Sequence, residues 1–283
     1  MSMRVFAPAK INLTLEVGAP RADGYHPLQS AVVFAGVGDW IEAAQATTLS
    51  LEISGPFAAG LSAGDNLVVR AARLLDPERG AALKLEKNLP IASGIGGGSS
   101  DAAATLLALN QLWDLRRTID ELARLSATLG ADVPVCMRGQ SAWMTGVGDT
   151  VAPMVAPMLD AVLVNPGKPL ATPSVYRHFD ELGLGAAFAE RNAPNLGGPE
   201  AALEEIKLRG NDLEVPAVAL MPELQELLTI LRSDPRTLHA ALSGSGATCF
   251  AITSSAVQSA ALASDLRQRN RDWWAQATTL GAA

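Results

Sequence analysis

From Gly94 to Asp101 the chain reads Gly-Ile-Gly-Gly-Gly-Ser-Ser-Asp, and from Ala102 to Trp113 it turns apolar and helix-favouring. This junction constrains the fold more than any other stretch. Gly94, Gly96, Gly97 and Gly98 carry no Cβ, so a ligand can approach the backbone closely there. Ser99, Ser100 and Asp101 are expected at the helix N-cap. A helix N-terminus offers unpaired N–H groups and a positive dipole end, which favours an anion such as a polyphosphate. Two common loops are excluded. A Walker A loop needs Gly-Lys-Ser/Thr, and here Gly98 is followed by Ser99. In a dinucleotide fingerprint Ser99 stands where the third glycine belongs. A plain flexible turn is the rival, and the density of glycines, then serines, then a helix favours the anion cradle.

The rest of the chain alternates between helical and strand-like patterns. Apolar residues fall on odd positions from Val5 to Val17, with Lys10, Asn12, Thr14 and Glu16 on even ones, as in a half-buried strand. Pro8 marks an expected break or bulge near its start. Lys10 and Asn12 share a face that is either solvated or lines a site. Arg21 to Gly24 reads as a turn. Leu67–Leu75 reads as a helix, and Leu83–Leu89 as a strand delivering the chain to the glycine-rich loop. Thr118 with Glu121 is a capping box, with Gly130 expected just past that helix. Asp132 then lies in a loop fixed by Pro134. Gln140–Thr145 reads as a strand, Gly146–Asp149 as a turn and Ala161–Val164 as a buried strand. Thr172-Pro173 is an expected N-cap and N1 pair for a helix carrying Tyr176 and Arg177. Residues 183–199 are read as a mobile loop, and helices are expected over Met221–Leu231 and Val257–Arg269. Ala240–Ile252 reads as strand, glycine turn, strand. Prolines 153 and 157 suggest a boundary, giving domains 1–150 and 151–283. Helices and strands without a strict βαβ rhythm predict an α+β fold.

Composition narrows the partners. The 283 residues carry a net charge of −7, with a pI near 5.0, which argues against nucleic acid as the main partner. A small anion remains possible, because a local loop and a few cations suffice to bind it. Cys136 and Cys249 lack metal or redox spacing, and a reducing compartment is expected. His26, His178 and His239 form no zinc pattern. No apolar run approaches a membrane span. The strand pattern starts at once, leaving no room for a targeting peptide, so a cytoplasmic location is expected.

Pro90-Ile91-Ala92-Ser93-Gly94-Ile95-Gly96-Gly97-Gly98-Ser99-Ser100 resembles the phosphate loop of the GHMP kinases, a family of small-molecule kinases. Pro8 to Leu13 with Gly24-Tyr25-His26 is similar to the opening of one branch, whose substrate is a cytidine diphosphate-linked alcohol. Gly130 to Pro134 is similar to that branch's catalytic aspartate segment, and Ser243 to Thr248 to the family's third motif. Ala92 and Ser93 replace positions often occupied by glycine in the family. The resemblance spans nearly the whole chain. It implies a two-domain fold, with an N-terminal domain like domain 2 of ribosomal protein S5 and an α+β C-terminal domain. It also implies ATP as co-substrate with Mg²⁺.

Phosphoryl transfer needs a phosphate cradle, charge neutralisation and a group that orients or deprotonates the attacking hydroxyl. By the resemblance, Pro90 to Ser100 is the cradle, Asp132 the base and Lys10 the cation beside it. Ser100 is a candidate for phosphate or Mg²⁺. Tyr25 and Tyr176 are candidates to stack on cytosine, and His26 to read its edge. Arg177 is a candidate for the substrate diphosphate, with Asn12, Val147 and Thr172 as further substrate contacts. Each has a plainer reading: Asp132 as a solvated helix-end carboxylate, Lys10 as an exposed strand residue, Ser100 as a cap, Tyr176 packed on its own helix and Arg177 as a surface charge. Mevalonate- or homoserine-type kinases are the rival within the family, and a nucleotide-binding regulator without activity is the rival outside it.

Overall fold

The computed structural model describes residues 2–281. In chain order the elements are strands β1 (Ser2–Asn12), β2 (Glu16–Val17), β3 (Leu28–Gln45) and β4 (Ser50–Ser54), helix α1 (Leu67–Leu75), strand β5 (Ala81–Glu86), and helices α2 (Gly97–Leu112), α3 (Ile119–Ser126) and α4 (Val133–Arg138). Strands β6 (Ala142–Thr145), β7 (Thr150–Pro153) and β8 (Leu159–Asn165) follow, then helices α5 (Thr172–Glu181), α6 (Pro199–Arg209), α7 (Glu214–Leu220) and α8 (Glu223–Ser233). The chain closes with β9 (Thr237–Leu242), β10 (Cys249–Thr253), α9 (Ala256–Arg269) and β11 (Trp274–Leu280).

These elements gather into two compact units. The first takes the chain up to Lys10, Val37–Ile91 and Gly96–Gly139. The second takes Ile11–Gly36, Ala92–Ile95 and the chain from Gln140 onward. The units interleave along the chain, whereas the expected domains 1–150 and 151–283 are continuous stretches. Strands β1 and β3 each contribute residues to both units.

In the first unit the distal half of β3 pairs antiparallel with β5, from Trp40↔Glu86 to Gln45↔Ala81. β4 and β5 pair in parallel, and α1 lies in the crossover between them, as parallel pairing requires. In β5, Ala81, Leu83 and Leu85 are buried, the period-2 pattern of a strand with one covered face. Burying a leucine contributes roughly 1.5–3 kcal/mol. α1 begins where the Asn66 side chain accepts from Val68 N–H, and buries Val68, Ala71, Ala72 and Leu75. The expected capping box of α3 is present, with Thr118 and Glu121 bonded reciprocally. β1 runs through Pro8 without the expected break. The strand passes Gly38, where a Cβ would lie 2.2 Å from the Ala7 carbonyl oxygen, so the missing side chain makes room for it.

In the second unit β11, β8, β10 and β9 form an antiparallel run, and the first half of β3 pairs with β2 and β6. α8 buries Leu224, Leu227, Leu228 and Leu231, the i, i+3, i+4, i+7 stripe of an amphipathic helix. These join Val162, Val164, Phe179, Leu242 and Leu262 in one core. Antiparallel pairing dominates and helices pack on the strands, so the architecture is α+β. Of the segment 183–199, read from sequence as a mobile loop, residues 183–198 have no helix or strand, and Pro199 opens α6. The segment is tied down by buried Gln29, which donates to Ala189 O at 3.0 Å and accepts from Arg191 N–H at 2.8 Å.

Candidate active site

In the first unit the glycine-rich loop opens α2 earlier than the serines suggested. The N-cap is Gly96, with φ 63°, and no side chain caps the helix. Ser99, Ser100 and Asp101 therefore lie inside the first turns, because a left-handed glycine lets the chain enter the helix at once. The N–H groups of Gly97, Gly98 and Ser99 belong to the turn in which a helix has no intrahelical partner for its donors. A Cβ on Gly96 would lie 3.1 Å from Lys10 Cβ and 3.3 Å from Lys10 Cε. The space left by this glycine is filled by the lysine stem, not kept open for a ligand.

Lys10, at the end of β1, and Asp132 are brought together: Nζ donates to Asp132 Oδ2 at 3.0 Å. The lysine side chain is 6% exposed and the aspartate side chain 39%, so the ammonium is sealed and the carboxylate faces outward. Asp132 is not in a loop fixed by Pro134. It stands at the N-cap position of α4, with Pro134 in that helix's first turn, and its side chain makes no capping bond. Ser100, expected to reach phosphate or metal, is buried. Its hydroxyl donates to Pro8 O at 2.7 Å and lies 3.4 Å from Cys136 Sγ. Burial, with Asp132 adding to it, pushes the Cys136 thiol up to about 12, so it stays protonated. Among the described residues no three His, Cys, Asp or Glu side chains cluster to hold a metal.

Behind the loop lies a charge cluster that motif reading missed. Lys87 Nζ donates to Asp39 Oδ2 at 2.5 Å and to Asp101 Oδ2 at 2.6 Å. Asp39 also accepts from Asn88 N–H and Leu89 N–H at 2.5 and 2.8 Å. Burial alone would lower the Lys87 ammonium, but Asp101 and Asp39 outweigh it and hold it above the ordinary lysine range. Burial raises Asp101 to about 7 against the pull of Lys87, and its Oδ1 has no hydrogen-bond partner. A Cβ on Gly97 would point at this cluster, 3.1 Å from Lys87 Nζ.

In the second unit the leading half of the loop, residues 92–95, is held by the third motif. Ser243 Oγ accepts from Asn12 N–H at 3.2 Å and lies 3.3 Å from the Gly94 carbonyl. Thr248 N–H donates to Ser93 O at 3.0 Å and Leu170 N–H to Ala92 O at 3.1 Å. A Cβ on Gly94 would lie 2.6 Å from Gly246 N, so that glycine serves the approach of two backbones. Asn211 Nδ2 donates to Leu242 O and Gly244 O at 2.9 and 2.8 Å, clamping the motif from outside. Asn12 is buried and its Nδ2 donates to Ser30 Oγ at 2.7 Å. Thr172 is the first residue of α5 and its N-cap is Ala171. The Thr172 hydroxyl pairs with Ser245 Oγ at 2.8 Å instead.

The aromatic candidates also lie in the second unit. The turn folds through Arg21 N–H to Tyr25 O at 2.8 Å and Tyr25 N–H to Asp23 Oδ1 at 3.1 Å. Tyr25 is 65% exposed, and His26 is buried. The ring beside Tyr176 is His26, with centroids 4.9 Å apart, and Phe179 meets His26 edge-on at 5.9 Å. His26 Nε2 lies 2.7 Å from Asp180 Oδ1, so only its Nδ1 side remains for the expected reading of a base. Arg177 is exposed, and Val147 sits half-buried in the Gly146–Asp149 turn. The fold thus unites Lys10 with Asp132, and His26 with Tyr176. Asp180 and Asn211, like Lys87 with its partners, carry no motif, and their contacts are legible only in three dimensions.

The chain matches the GHMP kinases N terminal domain over residues 66–140 and the GHMP kinases C terminal domain over 187–272. It is 46% identical to the 4-diphosphocytidyl-2-C-methyl-D-erythritol kinase of Hyphomonas neptunium, covering 100% of this chain and 98% of that one. The enzyme of the same name from Ruegeria pomeroyi is 48% identical over 97% of this chain and 98% of its own. A crystal structure of a 4-(cytidine 5'-diphospho)-2C-methyl-D-erythritol kinase superposes with TM-score 0.80 and 34% identity, covering 99% and 100% of the two chains. A homoserine kinase from Cytophaga hutchinsonii, at 17% identity and TM-score 0.71 over 100% and 95%, shares the fold. With two family domains in order and full-length relatives at such identity, the chain belongs to the GHMP kinase family.

Proposed function

We propose that this kinase transfers the γ-phosphoryl group of ATP to the 2-hydroxyl of 4-diphosphocytidyl-2-C-methyl-D-erythritol, in the synthesis of isoprenoid precursors. Its family domains are taken as 1–150 and 151–283. The observation that carries the chemistry is the pair of Lys10 and Asp132, a sealed ammonium 3.0 Å from an outward-facing carboxylate. Asp132 accepts the hydroxyl proton as the oxygen attacks phosphorus, and ADP leaves. Lys10 holds the carboxylate in place and offsets charge developing on the attacking oxygen. The N–H groups at the start of α2 receive the phosphates. Mg²⁺ bound with ATP would neutralise charge on the transferring phosphates. Such a cation needs few protein ligands, which suits a site where Ser100 turns its hydroxyl to Pro8.

The identity of the substrate rests on the full-length relatives and on the ring set of Tyr25, His26 and Tyr176, for which a mevalonate- or homoserine-type substrate has no use. The test is direct. Purified protein with ATP, Mg²⁺ and the diphosphocytidyl substrate should yield ADP and a new phosphomonoester, seen by ³¹P NMR. CDP should compete with the substrate and not with ATP. Turnover of mevalonate or homoserine in its place, or competition of CDP against ATP alone, would overturn the assignment. Absence of any ATP consumption would leave the regulator reading.

A further inference from the structure

The exposed tyrosine and the buried histidine of the Tyr25-His26 turn are held very differently. The His26 ring packs tilted by 48° against Tyr176 and edge-on to Phe179, so its plane is set by two aromatic neighbours. Its Nε2 meets Asp180 Oδ1 at 2.7 Å, and among the described residues no hydrogen bond engages Nδ1. Phe179 and Asp180 are adjacent on α5, so one helix supplies both the ring wall and the carboxylate.

The pairing has a consequence for hydrogen-bond polarity. In a neutral imidazole one nitrogen donates and the other accepts, and a carboxylate only accepts. A proton held on Nε2 and donated in a hydrogen bond to Asp180 leaves Nδ1 as an acceptor. Cytosine carries an amino donor at C4, where a uracil-type ring carries a carbonyl acceptor. An acceptor Nδ1 attracts the first and repels the second, and a donor Nδ1 would do the reverse.

We propose that Asp180 is a specificity-determining positioning residue: by accepting a hydrogen bond from Nε2–H it locks His26 as an acceptor at Nδ1 and so selects a cytosine base over uracil. The inference rests on the cytidyl reading given above. It assigns a role to a residue that does not itself touch the base.

Two measurements on the full-length protein test it. ¹⁵N NMR of the ligand-free enzyme across a pH series reports which His26 nitrogen carries the proton. Calorimetric titration with CDP and UDP, on wild type, Asp180→Asn and Asp180→Ala, reports selectivity. The wild type should show the Nε2–H tautomer and prefer CDP. Asp180→Ala should lose at least roughly tenfold of the CDP-to-UDP ratio, on the scale of one base-edge readout, with ATP affinity held. Asp180→Asn, whose amide oxygen can still accept, should fall between. An Nδ1–H tautomer or an imidazolium in the wild type at pH 8 overturns the lock, as does an unchanged ratio in Asp180→Ala. If Asp180→Ala fails to fold, the wild-type tautomer and the Asp180→Asn ratio decide on the same terms. No CDP binding by the wild type overturns the cytidyl reading and the inference with it. CDP binding with unaltered selectivity overturns the role of Asp180 alone.

Discussion

Two lysines of the first unit, Lys10 and Lys87, are both buried and both donate to carboxylates, yet they are built for opposite ends. Lys10 holds Asp132, whose side chain is 39% exposed. Lys87 holds Asp39 and Asp101, whose side chains are 0% and 4% exposed. A charge pair with one outward carboxylate can meet a substrate. A pair closed on both sides can only hold the protein together, since removing one partner strands an uncompensated buried charge. Burial of a lysine is therefore no guide to its role; the exposure of its partner is. The glycines repeat the distinction, because Gly96 makes room for Lys10 while a Cβ on Gly97 would face Lys87.

The comparison breaks first at Asp132. Asp132→Asn should keep the fold and nucleotide binding and lose about 10²- to 10⁴-fold in kcat, the usual cost of removing a general base. Near-native turnover would take the residue out of the chemistry. Lys10→Ala should lower kcat by about 10²- to 10³-fold, as expected for lost stabilisation of developing charge. A raised KM with kcat held would make Lys10 a binding residue instead.

Lys87→Met should act on stability, costing about 3–5 kcal/mol in denaturant unfolding by leaving two buried carboxylates without their cation. A variant as stable as wild type but inactive would reverse the assignment of the two lysines. The smallest effect concerns pH. The Asp101 carboxyl is raised to about 7 in the folded protein, against about 3.9 in an unfolded chain. Its contribution to stability is complete below about pH 4 and is lost as pH rises through about 7, because the folded state is the one that binds the extra proton. Thermal midpoints of wild type should therefore fall from pH 5 to pH 8 through this group. Asp101→Asn should show a flatter profile, and an unchanged slope would move the titration elsewhere.

The elements that sequence reading located share one property: their signals are local. Thr118 caps within three residues of itself, Leu224 to Leu231 repeats at helical spacing, and Ala240–Ile252 is read as a hairpin with its glycines between the strands. The long strand β3 gave no such signal, because every residue from Gln29 to Ala35 is buried and the alternation that marks a strand disappears when both faces are covered. The expected caps at Ser99 and Thr172 were displaced for a related reason. A hydroxyl caps only if nothing better competes for it, and the left-handed Gly96 and the Thr172–Ser245 bond decided otherwise.

The sequence by itself determined which groups the proposed chemistry draws on: a glycine-rich loop opening a helix, a lysine, an aspartate, and an aromatic-histidine turn. The tertiary structure alone decided which side chains those groups answer to. Lys10 meets Asp132 across 122 positions, His26 meets Asp180 across 154, and Lys87 joins Asp39 and Asp101 across 48 and 14. Residue type and spacing set local backbone geometry within a turn or two, but burial and partner choice arise only when distant segments exclude water from the same place.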